Sequence, residues 1–158
     1  MLRIETEAKT NEETGSFTFD GKEYYDITEL ENAFEVKKQE LFDLVYEDLH
    51  DIASVLCPIT NKQEPIWESG AKNFTLAVAL AMLEDSENPD LGMTKERYNF
   101  YNVKAVATNT ERDCAELIRY FSGRPPTSRS HSLSRQVLDT ADKTRGSYIS
   151  TLFDKLNL

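Results

Sequence analysis

Histidine and cysteine are almost missing from this chain: only His50, His131, Cys57 and Cys114 occur in 158 residues. That scarcity excludes the common zinc frameworks, which gather His and Cys ligands at short fixed spacings, and there is no CxxC pair. Glu47 and Asp51 flank His50 at the i, i+4 spacing with which a helix face can share a metal, but a solvated acidic face is the simpler reading. His131 stands between Ser130 and Ser132 with no carboxylate placed by sequence to orient it, so no hydrolytic triad is drawn. The two thiols read as reduced cysteines packed in or near a core. Glycine is also sparse, with six in the chain. Asp142-Lys143-Thr144 lacks the preceding glycines whose backbone N–H groups would wrap a phosphate, and Asp142 would repel one. No pair of carboxylates stands isolated in an apolar setting, as acid–base catalysis requires. The reading is a non-enzymatic domain with no catalytic residue, no cofactor and no metal.

Long apolar runs are absent too. The longest, Phe74 to Leu83, has ten residues and is broken by Thr75, about half of a bilayer span. The first residues, MLRIETEAKTNEETG, are polar and acidic and do not form a secretory signal. A soluble, cytoplasmic domain without membrane contact of its own is expected. The net charge of −10 is unevenly placed: residues 1–96 hold 8 basic and 22 acidic side chains, whereas residues 97–158 hold 10 basic and 6 acidic. Such an acidic chain is a poor nonspecific ligand for nucleic acid. Its basic half can meet an acidic partner or a single strand, or the two halves can attract each other across the fold.

Residues 1–15 are expected to be flexible, and 16–158 to form a single domain. In SFTFDGKEYYD, from Ser16 to Asp26, alternating Phe17 and Phe19, the Asp20-Gly21 turn and the returning Tyr24-Tyr25 predict a small β-hairpin. An isolated hairpin is marginal in water, so its aromatic face needs something to pack on. Asp26 or Thr28 can cap the next helix. Its apolar positions are Phe34, Leu41, Leu44, Val45, Leu49, Ile52, Val55 and Leu56, running to Pro58, as one long helix or two divided near Glu35 to Lys38. The opposite face carries Glu40, Asp43, Glu47, Asp48 and Asp51, a candidate surface for a basic partner.

Pro65 suits the first position of a further helix, apolar on most of its circumference from Trp67 to Leu83 and rich in alanine, which predicts the centre of a bundle. Trp67 reads as a core anchor or an exposed contact. The acidic turn before Pro89 ends that helix. A shorter helix within Gly92 to Asn109 carries Tyr98, Phe100, Tyr101, Val103 and Val106. Thr110 with Asp113 is an approximate capping box for Glu111 to Ser122. Gly123 to Ser128 is a break. The last segment, Arg129 to Leu156, is expected to kink around Thr140 to Gly146 or to be two abutting helices. Arg119, Arg124, Arg129 and Arg135 surround the Pro125-Pro126 break, with Lys143 and Arg145 further on. These six form a candidate contact for DNA or an acidic partner, or else a solvated basic face; the nearby aromatics, Tyr120 and Phe121, make a thin platform for stacking bases. The fold class is mainly α: a multi-helix bundle around a central apolar helix, with a small N-terminal β-hairpin.

Four segments carry a family likeness: VLCPIT from Val55, PIWESGAKNFTLAVALAMLEDS from Pro65, MTKERYNFYNVKAVATN from Met93 and QVLDTADKTRGSYISTLFDKL from Gln136, the last read as an amphipathic helix interrupted by Gly146. Together they resemble the all-α domain of type IV secretion coupling proteins, the hexameric DNA-translocating ATPases of bacterial conjugation, in the variety found in Gram-positive plasmids and integrative elements. The resemblance covers Leu41 to Leu158. It implies an insert within a nucleotide-binding domain that caps the cytoplasmic mouth of a membrane-anchored hexamer, which fits the lack of a P-loop and of spanning helices here. The implied partners are a relaxase and relaxosome accessory proteins, with single-stranded DNA as a further candidate. The best-matching residues are Pro65, Trp67, Glu68, Gly70 and Ala71, and Asp139, Lys143, Thr144, Gly146 and Ser147. They have the character of fold-defining positions, and the resemblance carries over no catalytic residue.

Overall fold

The computed structural model describes residues 8–11, 14–109 and 111–156, without the side chains of 111–113. The fold is mainly helical, as the sequence predicts, with a small antiparallel sheet at the N-terminal end. The chain divides between residues 47 and 48 into two compact units.

In the N-terminal unit, β1 (Lys9–Asn11), β2 (Ser16–Phe19) and β3 (Lys22–Tyr24) form a sheet in that order. The hairpin is in its expected place: Phe17 lies opposite Tyr24 and Phe19 opposite Lys22. Asp20 and Gly21 both take positive φ, 49° and 76°, as a type I′ turn demands. A third strand lies within the segment expected to be flexible: Lys9–Asn11 pairs with Ser16–Thr18. Helix α1 (Ile27–Leu56) begins under the Asp26 carboxylate, which accepts from the Thr28 and Glu29 N–H groups at 2.6 and 3.3 Å. Phe19 is buried and meets the ring of Phe34 on α1 at 5.8 Å, which gives the hairpin the packing surface it needs. Lys37 pairs with Asp20 across 3.1 Å. No break occurs at Glu35 to Lys38; α1 is one helix of 30 residues.

The second unit is built on α2 (Pro65–Asp85), with Pro65 in its first turn. Around it stand α3 (Phe100–Ala107), α4 (Glu111–Ser122), α5 (Arg129–Leu138) and α6 (Asp142–Leu156). Helix α2 packs on α5, α6 and α3, while α4 packs on α5. Phe74, Leu76, Ala77, Val78, Leu80, Ala81 and Met82 are all essentially inaccessible to solvent, so α2 is apolar all round because it is surrounded. Pro89–Leu91 forms a 3₁₀ turn. Tyr98 precedes α3 and does not ride on it; it packs against the core, and burial pushes its phenol up to about 12. Asn99 caps α3 through its side chain. The capping box expected at Thr110 and Asp113 lies outside the described residues.

The final segment is two helices, divided at residues 139–141. Gly146 lies inside α6 and does not interrupt it, which corrects the expected break; the division instead follows Asp139, which closes α5. The glycine that matters is Gly70. A Cβ there would fall 2.1 Å from Cε1 of Tyr148, so only hydrogen lets that buried ring come so close to α2. Trp67 completes the contact, edge-on to Tyr148 at 5.0 Å, in the role of core anchor. Replacing Gly70 by alanine should cost about 1–3 kcal/mol by overpacking. Urea denaturation checks this; an unchanged midpoint would show that the Tyr148 ring is free to move aside.

Candidate functional site

Glu68 lies one turn into α2 and is buried. Its carboxylate accepts from the backbone N–H of Thr60 and Asn61 at 2.5 and 2.8 Å, from the Thr60 hydroxyl at 2.7 Å, and from the Lys155 ammonium at 2.6 Å. Lys155 also donates to the Pro58 carbonyl at 2.9 Å. One carboxylate thus ties the loop after Cys57 and the end of α6 to the start of α2. The Lys155 contact, then Asn61 and Thr60, hold the Glu68 carboxyl at about 2. This is a structural role, not a binding one.

At the other end of α2, Glu84 and Asp85 gather a second set of partners. Arg124 donates to Glu84 at 2.8 Å, to Asp85 at 2.6 Å and to the Ala81 carbonyl at 3.1 Å. The hydroxyls of Ser128 and Ser130 donate to Glu84 at 2.9 and 2.7 Å, and the Tyr120 hydroxyl donates to Asp85. The Arg124 guanidinium stacks 4.4 Å from the centre of the Tyr120 ring. Burial, then the bond to Asp85, push the Tyr120 phenol well above its ordinary value. His131 is held by the Phe121 carbonyl at its Nδ1, 2.9 Å away.

This network takes Arg124 out of the candidate basic surface. The Arg124 side chain is 9 % exposed, with its charge spent on two carboxylates inside the fold. Arg145 also turns inward, donating to Asp142 at 3.2 Å and to the Thr140 carbonyl at 2.8 Å. Arg135 is exposed but paired with Asp139, four residues on, at 2.5 Å. Arg129 is half-buried, while Arg119 and Lys143 are exposed. Arg124, Arg135 and Arg145 are thus engaged by carboxylates of the chain itself, which leaves Arg119, Arg129 and Lys143 of the six. The loop is basic in sequence because it must close over the acidic end of α2, a pairing 39 or more residues distant that no local pattern reveals.

The acidic candidates all lie on α1, in two stretches. In the N-terminal unit, Glu40 and Glu47 are exposed and Asp43 is half-buried, accepting from Gln39 at 3.0 Å. Lys37 approaches Glu40 only at 3.9 Å. In the second unit, Asp48 and Asp51 are exposed; Asp51 lies 3.5 Å from the His50 ring, whose other nitrogen is 3.3 Å from Lys72. Three apolar positions expected to face inward do not: Ile52, one turn from Asp48, is exposed, and so are the two that follow. Leu44 is 59 % and Val55 79 % exposed. The helix explains this: Leu44 is one turn from both Glu40 and Asp48, and Val55 one turn from Asp51, so both lie in the acidic face. The inward side carries Leu49, Ala53 and Leu56. Ala53 is the one buried residue along all of α1.

Cys57 and Cys114 are both buried and not joined to each other. Among the described residues, no three His, Cys, Asp or Glu side chains converge as a metal site requires, and no helix is long and apolar enough to cross a membrane. Comparison with protein-family models, with curated proteins and with solved structures finds no match for this chain.

Two predictions follow from the charged ends of α2. Arg124→Ala should destabilise by about 2–4 kcal/mol, since it strands two largely buried carboxylates, whereas Arg119→Ala should stay within about 0.5 kcal/mol of the parent. Equal effects in chemical denaturation would contradict the assignment. Glu68 has a folded-state pKa near 2 against an ordinary 4.5, so its contribution is complete above 4.5 and is lost as pH falls through 2. Glu68→Gln should lower the unfolding midpoint at neutral pH, and its gap to the parent should narrow as the pH drops from 5 towards 2. A gap independent of pH would show that the carboxylate charge is not what binds the loop.

Proposed function

We propose that this chain is the substrate-recognition domain of a conjugative type IV secretion coupling protein. It docks a relaxase or a relaxosome accessory protein, with the DNA it carries, for delivery to a translocation ATPase. The parent protein is a membrane-anchored hexamer, and this domain works on the cytoplasmic side without a nucleotide site of its own. The family assignment rests on the segments around Pro65, Met93 and Gln136. The docking role is supported chiefly by one observation, the exposed face of α1.

That face combines the two ingredients of a recognition surface. Helix α1 holds eight acidic residues against two lysines; within the N-terminal unit it exposes Leu44 beside Glu40 and Glu47, and within the second unit Ile52 and Val55 beside Asp48 and Asp51. Apolar contacts provide adhesion, while the surrounding carboxylates select a basic partner and speed its approach. Against a second copy of the same helix, the like charges would repel. Proteins that process DNA present basic surfaces, so the selectivity runs in the direction the proposed role needs.

The test is binding of this chain to purified relaxase and accessory protein at low and near-physiological salt. Binding that weakens with salt is expected. Reversing Glu47 and Asp48 to lysine should slow association by about 10-fold, with the helical circular dichroism unchanged. Salt-sensitive binding to neither protein, or full binding by the double reversal, would refute the reading.

A further inference from the structure

A second surface lies far from α1 in sequence and has the opposite character. The segment Thr94 to Ala105, TKERYNFYNVKA, holds Lys95, Arg97 and Lys104 against the single acid Glu96, a balance of +2 in a chain of net charge −10. It also holds two aromatics that reach solvent: Tyr101, which faces outward, is 80 % exposed, and Phe100, at the first position of α3 on the side of Val103, 39 %. The reason is the register of α3. Its inward side is fixed by Val103 and Ala107, one turn apart and both buried, which sends Tyr101 to the opposite side. The residue one turn after Tyr101 is Ala105, small and exposed, so one flank of the ring is left clear. Lys104 follows Phe100 and Tyr101 by four and three residues, the spacing of side-chain neighbours on a helix.

The turn that carries the other two cations is pinned to the start of α3. Asn102 Nδ2 donates to the Arg97 carbonyl at 2.8 Å, and Asn99 Nδ2 to the Glu96 carbonyl at 2.8 Å. Arg97 Nη1 donates to the Gly92 carbonyl at 3.0 Å, which holds the arginine while leaving its remaining donors at an exposed position. Glu96, the one acid, is drawn onto its own backbone N–H and the Thr94 hydroxyl. The opposing charge is therefore engaged locally, while cations border an aromatic pair on a pinned frame.

We infer that this surface binds single-stranded nucleic acid, with bases stacking on Tyr101 and Phe100 and the backbone phosphates meeting Lys95, Arg97 and Lys104. Base–aromatic stacking tolerates any sequence, and cations set beside the rings supply the phosphate contacts that such binding requires. An exposed aromatic pair alone would fit a protein partner equally well. The interleaved positive charge, in a chain that is otherwise strongly acidic, is what favours a polyanion. The inference stands apart from the docking role of α1 and moves the nucleic-acid contact from the arginines around Pro125-Pro126 to α3.

Fluorescence anisotropy of labelled oligo(dT) with the whole chain, over a salt series, tests it. The parent should bind at low salt, with log affinity falling against log salt at a slope of about −2 for three phosphate contacts on a single strand. Tyr101→Ala should weaken binding by about 5-fold or more, and Tyr101→Phe should match the parent because it keeps the ring. Lys104→Glu should weaken binding and flatten the slope. Tyr101 is exposed and Lys104 half-buried, so thermal unfolding of the Tyr101 variants should be unchanged and their losses assignable to contact. The inference is overturned by absence of oligo(dT) binding at low salt, by parent-like binding of Tyr101→Ala, or by Tyr101→Phe binding as weakly as the alanine variant. It also fails if Arg119→Glu with Arg129→Glu abolishes binding that Tyr101→Ala leaves intact.

Discussion

Everything in the second unit depends on α2 being apolar around its whole circumference. From Phe74 to Leu83 the helix offers its neighbours almost no polar contact, so beyond Lys72 to His50 and Asn73 to Gln136 those contacts gather at its ends. Glu68 does this at the start, binding the loop after Cys57 and the end of α6; Glu84 and Asp85 do it at the finish, binding α4, the loop around Pro125-Pro126 and the start of α5. A buried ion pair adds little net stability, but losing one partner is expensive. Those charges therefore choose an arrangement more than they strengthen one. They also draw the most central arginine of the basic half inside, which is why a stretch rich in arginine in sequence offers fewer cations at the surface than its sequence suggests.

Helix α1 follows the opposite rule. It is longer than α2, yet buries only Ala53, and it keeps Leu44, Ile52 and Val55 among carboxylates in solvent. A helix in water owes most of its stability to an amphipathic face that packs. One that spends so little of its apolar surface retains the means to hold a partner, and this contrast between a self-contained bundle and an unspent helix underlies the proposed recruiting role. The aromatic pair on α3 extends the same logic to a different ligand. Val103 and Ala107 fill the interior, so Tyr101 on the opposite side is left over for contact, with Phe100 partly exposed at the start of the helix.

Much of the fold was legible because its signals are local. The Asp20-Gly21 turn, Pro65 at the head of α2, the apolar stretch from Trp67 to Leu83 and the bounds of α4 all rest on short-range chemistry. Where reading along the chain failed, the deciding partner lay far away or the period was read too loosely. Lys9–Asn11 has no strand signal of its own and is recruited by β2. Gly146 has the look of a breaker, yet α6 passes through it. Leu44, Ile52 and Val55 have the spacing of an inward stripe, yet their turn-to-turn neighbours are acids and all three are exposed. Arg124 was assigned outward because Glu84 and Asp85 are about forty residues away. The exposed aromatics of α3 were visible as residues but not as a surface, since which of Tyr98, Phe100 and Tyr101 turns inward is set by packing.

Native-state hydrogen exchange, resolved along the chain, tests the central contrast most directly. Amides of α2 should exchange only through global unfolding, whereas those of α1 from about residue 30 to 47 should exchange through local opening at much lower free energy. Slow exchange in α1 equal to that in α2 would mean that α1 is already packed as a core element. It would then not be the exposed surface on which the account of partner docking depends.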